Sequence, residues 1–297
     1  MMRTRGEKIF SVFNTIILSL IALACLIPVW HVICCSVSEP TLLNANRGTV
    51  LWPLGQWTFL GYEKVFKTSY ILRGYLNTVY YVILGTAIGL VLPCLAAYGL
   101  SRKDLMLKKP INFFITFTML FNGGLVATYI VMTRWFHLKD SMWILILPVI
   151  YNPFYVVLMK SFFMSVPDGI LEAARIDGEN EYGIFFRFVI PMSKPIFATV
   201  ALFLVLLLWN DYQQSLLYIS KEPLYKLQYL LMKILNDMEF LNSAAATDMG
   251  VQLDRVSMPT MNLRMAMCVV AAGPILLIFP FFQKYFTKGV NLGGIKE

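Results

Sequence analysis

The chain has 297 residues, of which 58% are apolar and only 14% are charged, and it carries a net charge of +8. This composition is typical of an integral membrane protein rather than of a soluble domain. The positive charge does not predict nucleic-acid binding, because lipid head groups suffice as counter-ions and the loops offer no continuous basic face.

Six long apolar runs predict an all-α polytopic membrane protein with six transmembrane helices in a single domain, 1–297. The predicted spans are 9–35, 74–100, 111–132, 142–164, 196–219 and 264–286. The first is an uncleaved span rather than a signal peptide, because its apolar run continues past Cys25. In the third, Gly123 and Gly124 predict the close approach of another helix.

The positions of the basic residues predict that both termini are cytoplasmic. The residues after Met1, the 101–110 turn and the last residues of the chain are rich in Lys and Arg, as short cytoplasmic segments are. Tryptophans favour a membrane interface, and in this arrangement they fall on or near the opposite side. They are Trp30, Trp52, Trp57, Trp135, Trp143 and Trp209.

The most polar connection, 165–195, predicts a cytoplasmic helix-turn-helix. Pro167 and Asp168 can open its first helix, and Gly178 can end that helix in the left-handed conformation. A second helix over about 180–188 is expected to stop at the following prolines, Pro191 and Pro195. We expect this segment to expose small and aromatic side chains to a partner, the second helix carrying Tyr182, Phe185, Phe186 and Val189.

Few residues could support catalysis or metal binding. The chain has no GxxxxGK[ST] phosphate loop, no HExxH pair and no nucleophile motif, so we expect no catalytic residues and no enzymatic activity of its own. The two histidines, His31 and His137, and the five cysteines lack metal-ligand spacing, which predicts neither a metal site nor a disulfide framework.

The 165–195 segment resembles the EAA loop of permease subunits from binding-protein-dependent ABC importers. The residues that match the family's fixed points are Glu172, Ala173, Ala174, Asp177, Gly178, Phe185 and Pro191, with Pro195 following. The resemblance implies that these residues couple the protein to an ATPase subunit, whose cleft receives the first helix. One departure is Glu179, where relatives usually carry a small residue, but the glycine turn is intact.

The end of the chain is similar to that of maltose-type carbohydrate-uptake permeases, specifically the second of their two permease subunits. The similarity is carried by FPFFQKYFTKGVNLGGIKE, by Trp209-Asn210-Asp211-Tyr212 and by Asn122-Gly123-Gly124. It implies an all-α permease subunit of an ATP-driven importer for oligosaccharides or polysaccharide fragments. The subgroup it resembles handles complex oligosaccharides in Gram-positive bacteria.

The resemblance also implies the partners and the location. The expected partners are a second permease subunit, two ATPase subunits and an extracytoplasmic solute-binding protein that delivers the oligosaccharide. No cofactor is expected in this chain, because the ATPase subunits bind ATP and Mg. The expected location is the bacterial inner or plasma membrane, as a multi-pass protein surrounded by the lipid bilayer.

Two other classes remain open from the residues alone. An ion-coupled secondary transporter of a polar solute would need buried ionisable residues, and the second to fourth spans contain almost none before Lys160. A membrane-embedded enzyme would need the nucleophile or metal constellations that the sequence lacks.

Polar residues deep in the spans predict a sugar path. At 1.5 Å per residue, Asn122 and Asn152 lie about 16 Å into their spans and Asp211 about 22 Å into its own. Polar groups at such depths should face a partner helix or a wet cavity, and we favour water and substrate for Asp211. Amide and carboxylate groups bond sugar hydroxyls, and aromatic rings offer flat apolar faces. The candidate path residues are Asn122, Tyr129, Asn152, Trp209, Asn210 and Asp211.

Overall fold

The computed structural model describes residues 5–46, 48–241 and 261–289, and none of these residues lies in a β-strand. The predicted all-α architecture is therefore confirmed. The C-terminal sequence that carries part of the resemblance lies outside the described residues from 290 onwards. The helices are α1 (Arg5–Ser36), α2 (Pro40–Ala45), α3 (Leu60–Lys67), α4 (Ser69–Ser101), α5 (Lys108–Leu120), α6 (Gly124–Ile130), α7 (Leu147–Ile150), α8 (Pro153–Phe163), α9 (Asp168–Ile176), α10 (Glu181–Gly183), α11 (Ile190–Met192), α12 (Lys194–Asn210), α13 (Gln213–Tyr218), α14 (Leu227–Leu241) and α15 (Met261–Gly289).

Three described helices are long and apolar enough to cross a membrane, and three bent pairs raise the number of spans to as many as six. The unbroken ones are Ile9–Ser36, Ser69–Ser101 and Met261–Phe281. The bends are 111° between α5 and α6, 74° between α8 and α9, and 76° where α11 meets α12. The first, second and sixth predicted spans thus lie inside single helices, whereas the other three are interrupted.

The third predicted span is broken where a continuous helix was expected. Gly124 has a φ of +81°, and a Cβ built on it would meet no other described atom within 4 Å. The Asn122 side chain accepts a hydrogen bond from the Gly124 N–H at 2.8 Å and so replaces a lost helical bond. Within the described chain, Gly123 and Gly124 therefore form a turn against which no other helix packs closely, and the close approach of another helix at these glycines stays a prediction.

The described residues form two compact units, of which the first comprises residues within 1–72 and 231–273. Its centre is the buried Asn262, whose Nδ2 donates to the backbone carbonyls of Ser36 at 2.8 Å and Ser38 at 2.9 Å. Such carbonyls at the end of α1 lack partners within the helix, so the Asn262 amide satisfies them. Gly61 of α3 leaves room for Asn262 and Ala266, which a Cβ at that position would crowd.

The second unit comprises residues within 73–230 and 274–297, and in it α4 packs against α12. A Cβ on Gly85 would lie 2.7 Å from a methyl carbon of Leu208, and one on Gly89 would lie 3.1 Å from those of Leu204. Residues four apart share one face of a helix, so the two buried leucines fit against two glycines. This is the small-residue packing by which transmembrane helices come close.

A second part of this unit's core joins α4, α8 and α12 to the 165–195 segment. All of its members are almost completely shielded from solvent. They include Ala97, Leu100, Tyr155, Met159, Phe163, Ala174, Phe185, Val189, Val200 and Leu204. The polar segment is therefore seated on the membrane helices by its own apolar side chains.

Gly85→Val should destabilise the protein because its side chain would displace Leu208 from the α4–α12 contact, and overpacking of this kind costs about 1–3 kcal/mol. Gly99→Val is the matched control, since Gly99 lies in the same helix and a Cβ there meets no other described atom within 4 Å. Thermal unfolding in detergent should give a melting temperature several degrees lower for the first variant than for the second. Equal melting temperatures would contradict the glycine–leucine packing.

Candidate EAA surface and transmembrane groove

The 165–195 segment, which we call the EAA segment, opens with the predicted short helix. This helix, α9, begins at Asp168 directly after Pro167 and turns 74° away from α8. It ends as predicted at Gly178, whose φ of +85° favours glycine. The Gly178 N–H donates to the Arg175 carbonyl and the Glu179 N–H to the Ala174 carbonyl, both at 3.0 Å. These bonds cap the helix and fix the direction of the following chain.

The residues matched to the EAA motif divide between an outer and an inner face. Glu172, Ala173, Asp177, Gly178 and Pro191 are exposed, as are the large side chains of Ile176, Tyr182 and Phe186. Ala174 and Phe185 are buried, together with Val189. The expectation that Phe185 and Val189 face a partner is therefore corrected, since both pack inward against the membrane helices.

The second helical stretch continues beyond its predicted end. The residues from α10 onwards pass through a π-helical stretch, Ile184–Val189, and reach Met192 in α11. Pro191 follows the π-helical stretch and lies one residue before this helical stretch ends at Met192, so it does not stop the helix where expected. The chain instead bends by 76° at Ser193, between the two prolines.

Four ion pairs among the described residues involve the EAA segment, one of them between Arg175 and Glu181 at 3.2 Å. Asp168 accepts from Lys103 at 2.6 Å, and this hydrogen bond raises the pKa of Lys103. Glu179, the residue that departs from the family pattern, pairs with Arg187 at 2.9 Å inside the segment. Glu181 accepts from Arg102 at 2.9 Å. Sequence reasoning did not single out Glu181, because its partner lies 79 positions away and no local pattern marks the pair.

A groove of about 670 Å³ lies at the end of α12 and beside the start of α8. Amide, carboxylate and aromatic groups share its wall with leucines. Its lining residues are Asn152, Phe154, Tyr155, Phe203, Leu206, Leu207, Asn210, Asp211, Tyr212 and Gln213. Three of the six predicted path residues, Asn152, Asn210 and Asp211, are thus brought together.

The other three predicted path residues do not line this groove. Trp209 is buried and meets the ring of Tyr75 edge-on, with centroids 5.9 Å apart. Tyr129 stacks on Tyr218 at 5.4 Å, and Asn122 caps the break before α6. Trp209 was expected at a membrane interface and beside the sugar. Because its side chain is buried inside the protein, both expectations are corrected.

Both groove asparagines use part of their amide to complete a broken helix. Asn152 Oδ1 accepts from the Phe154 N–H at 2.9 Å, at the start of α8. Asn210 Nδ2 donates to the Leu206 carbonyl at 3.0 Å, at the end of α12. The Nδ2 of Asn152 and the Oδ1 of Asn210 bond no other described residue, so one donor and one acceptor remain for a ligand in the groove.

Asp211 lines the groove but also belongs to a buried ion pair. Its Oδ2 accepts from Lys226 Nζ at 2.5 Å, with 12% of the Asp211 side chain and 0% of the Lys226 side chain exposed. Its Oδ1 accepts from the Gln214 N–H at 3.1 Å and caps α13. The expectation that Asp211 faces only water and substrate is therefore corrected, because it is paired inside the protein.

The lysine reaches Asp211 because the chain turns back after α13. Asn77 Nδ2 donates to the Pro223 and Tyr225 carbonyls at 2.7 and 3.1 Å, and Thr78 Oγ1 accepts from the Leu227 N–H at 2.9 Å. Both residues belong to α4, so α4 anchors the segment that carries Lys226. In the sequence, Lys226 is a basic residue within a mostly apolar stretch. This signal was available, but sequence reasoning missed it.

The same segment is fixed at its other end by Asp140. The Asp140 carboxylate accepts from the Ser220 and Lys221 N–H groups, and the bond from Ser220 lowers its pKa. Within the described chain, no cluster of three His, Cys, Asp or Glu residues could hold a metal ion. All five cysteines are free thiols.

The sequence pattern and this architecture agree with a known family. Residues 71–292 match the model of the binding-protein-dependent transport system inner membrane component. The chain belongs to this family. It is therefore a permease subunit of the binding-protein-dependent ABC type and a multi-pass membrane protein, as the resemblance implied.

Individual relatives extend the comparison over the whole permease. The chain is 36% identical to the polygalacturonan/rhamnogalacturonan transport system permease protein YtcP of Bacillus subtilis (strain 168), over 98% of this chain and 99% of that protein. It is 33% identical to the protein LplC of the same organism, over 100% and 98% of the two chains. A crystal structure of a bacterial ABC transporter involved in the import of the acidic polysaccharide alginate has a chain with a TM-score of 0.82 and 27% identity, covering 96% of this chain and 99% of that one.

Lys226→Met should destabilise the permease because it leaves the Asp211 carboxylate without its buried partner, which typically costs about 3–5 kcal/mol. The double variant Asp211→Asn, Lys226→Met removes both charges and should recover most of that loss. The measurement is thermal unfolding of the purified complex in detergent. A double variant no more stable than Lys226→Met would show that the ion pair does not cause the effect.

Proposed function

We propose that this permease imports oligosaccharides that are fragments of acidic polysaccharides. The groove carries the proposal. Its asparagine amides leave one donor and one acceptor for a ligand, and its aromatic rings suit the flat faces of sugars. Two relatives support the class of substrate, since one is named for polygalacturonan and rhamnogalacturonan and another for the acidic polysaccharide alginate. In this proposal Asn152, Asn210 and Asp211 line the sugar path.

The proposed assembly contains a second permease subunit and two ATPase subunits, with an extracytoplasmic solute-binding protein delivering the sugar. ATP and Mg would bind to the ATPase subunits, and this chain would contribute no catalytic group. In the proposed orientation both termini are cytoplasmic, because the basic 101–110 turn and the EAA segment must lie on the side of the ATPases.

In the proposed coupling, α9 docks into the ATPase subunit through its exposed side. Glu172, Ala173 and Asp177 would lie at this contact, with Ile176, which is 86% exposed, as its largest apolar side chain. Ala174, Phe185 and Pro191 would act from beneath or beside α9 by fixing its position. ATP-driven closure of the ATPases would then move α9 and switch the groove between outward and inward access.

The family assignment disfavours an ion-coupled secondary transporter, since the family's members are parts of binding-protein-dependent systems. The buried Asp211–Lys226 pair also gives the one described carboxylate of the groove a structural partner. A proton or sodium ion would have to displace that lysine before it could bind there.

Gly178→Pro should leave the permease inserted but uncouple sugar-stimulated ATP hydrolysis, because proline requires a φ near −65° and the native φ is +85°. Glu172→Lys should have the same effect by reversing an exposed charge on α9. Gly178→Asn is the matched control, since asparagine tolerates the left-handed region. The measurement is ATP hydrolysis by the purified complex with and without loaded binding protein. Wild-type stimulation and transport in the first two variants would refute docking through α9.

The substrate class is tested by reconstituting the permease with its partner permease, ATPases and binding protein in proteoliposomes. We expect ATP-dependent uptake of short oligogalacturonides and less uptake of uncharged maltodextrins of equal length. Equal uptake of both would remove the preference for acidic sugars. Uptake of neither, by a complex that hydrolyses ATP, would refute the proposed class.

A further inference from the structure

The chain itself connects the EAA segment to α8 and α12, but not to α4. Helices α8 and α12 enter and leave the segment directly, so movement of the segment must reach them through the backbone. Helix α4 ends at Ser101, far earlier in the sequence. It can follow the EAA segment only through side-chain contacts.

Glu181 makes such a contact with three different donors. Its Oε2 accepts from Tyr98 Oη at 2.9 Å, and its Oε1 accepts from Arg102 Nη2 at 2.9 Å and from Arg175 Nε at 3.2 Å. Tyr98 belongs to α4 and Arg102 follows its last residue, whereas Arg175 belongs to α9. One carboxylate at the start of α10 thus ties α9 to the end of α4.

The surroundings make this junction firmer than an ordinary surface ion pair. The Arg102 side chain is only 16% exposed and lies over the Tyr98 ring at 5.8 Å. The same Tyr98 ring packs against Phe185 of the EAA segment, with centroids 4.6 Å apart. Ion pairs contribute measurably when several charges form a network and one partner is shielded from water.

The opposite part of α4 contacts the segment that positions one residue of the groove. About 20 residues, or about 30 Å along the helix, separate Tyr98 from Thr78. Thr78 and Asn77 anchor the segment that carries Lys226, and Lys226 holds Asp211 in the groove wall. A continuous series of described contacts therefore runs from α9 through Glu181 and α4 to the groove.

We infer that Glu181 is a positioning residue that transmits movement of α9 to α4 and, through α4, to the Lys226–Asp211 pair. The inference rests on the proposed docking of α9 to an ATPase subunit. Without the Glu181 carboxylate, α9 would still move α8 and α12, but α4 would follow less closely, because only its apolar contacts and the Lys103–Asp168 pair would still join its end to the segment. ATP hydrolysis would continue while less sugar crossed the membrane in each cycle.

Glu181→Gln tests this role, with Glu179→Gln as the matched control. Both are glutamates of the EAA segment, but Glu179 pairs with Arg187 of the same segment and does not reach α4. In proteoliposomes, Glu181→Gln should keep its basal ATP hydrolysis and lower the uptake per ATP hydrolysed by about fivefold or more, the lower end of typical coupling factors. Glu179→Gln should behave like the wild type. The probe is whichever of oligogalacturonide and maltodextrin the wild type transports.

Hydrogen–deuterium exchange of the assembled complex supplies a second readout that does not depend on the sugar. In the wild type, trapping the ATPases with ATP and vanadate should change the exchange of backbone amides at residues 99–107. That change should be clearly smaller in Glu181→Gln and remain in Glu179→Gln. If Glu181→Gln matches Glu179→Gln in both readouts, the inference is wrong.

Two further outcomes are decisive. If Glu181→Gln does not assemble, the double variant Tyr98→Phe, Arg102→Gln removes both donors on the α4 side and keeps the ring on Phe185. Full coupling in that variant would overturn the inference, and partial loss would support it. If the wild type transports neither probe, the proposed substrate class fails, whereas the exchange measurement still decides the role of Glu181.

Discussion

Every backbone polar group inside a membrane must find a partner within the protein, and this constraint explains where the permease places its polar side chains. Asn122, Asn152, Asn210 and Asp211 all lie at helix breaks and bond a nearby backbone group. Three of them also line the groove. Broken helices are tolerated at membrane depth where they line a cavity, so the groups that complete the breaks are also those that a ligand would meet.

The buried Lys226 shows how this permease keeps a carboxylate beside its groove. An isolated carboxylate at such a site would be costly, and a buried lysine alone would be equally unfavourable. Brought together, they stabilise the turn from α12 into α13 and attach the 220–226 segment to it. The position of Asp211 therefore depends on Asn77 and Thr78, which hold that segment from α4.

The EAA segment combines a solvent-facing side with an apolar underside. Exposed residues such as Glu172 and Ile176 are free to meet another subunit, whereas Ala174 and Phe185 belong to the core that joins α4, α8 and α12. In the proposed coupling, a seat of this kind would let a small surface helix move membrane helices rather than bend by itself. Glu181 and its donors add polar contacts to the apolar attachment of α4.

The sequence by itself determined the all-α membrane architecture, the EAA helix with its glycine turn and the family, because apolar runs, Gly178 and the motif spacing are local features. Three of the residues that it proposed for a sugar path line one groove in the structure. Only the tertiary structure decided that Gly123 and Gly124 form a turn, that Trp209 and Phe185 point inward, and that Asp211 is paired. Depth along a span says nothing about which side of the helix faces the core, and the partners of Asp211 and Glu181 come from parts of the chain that only folding brings together.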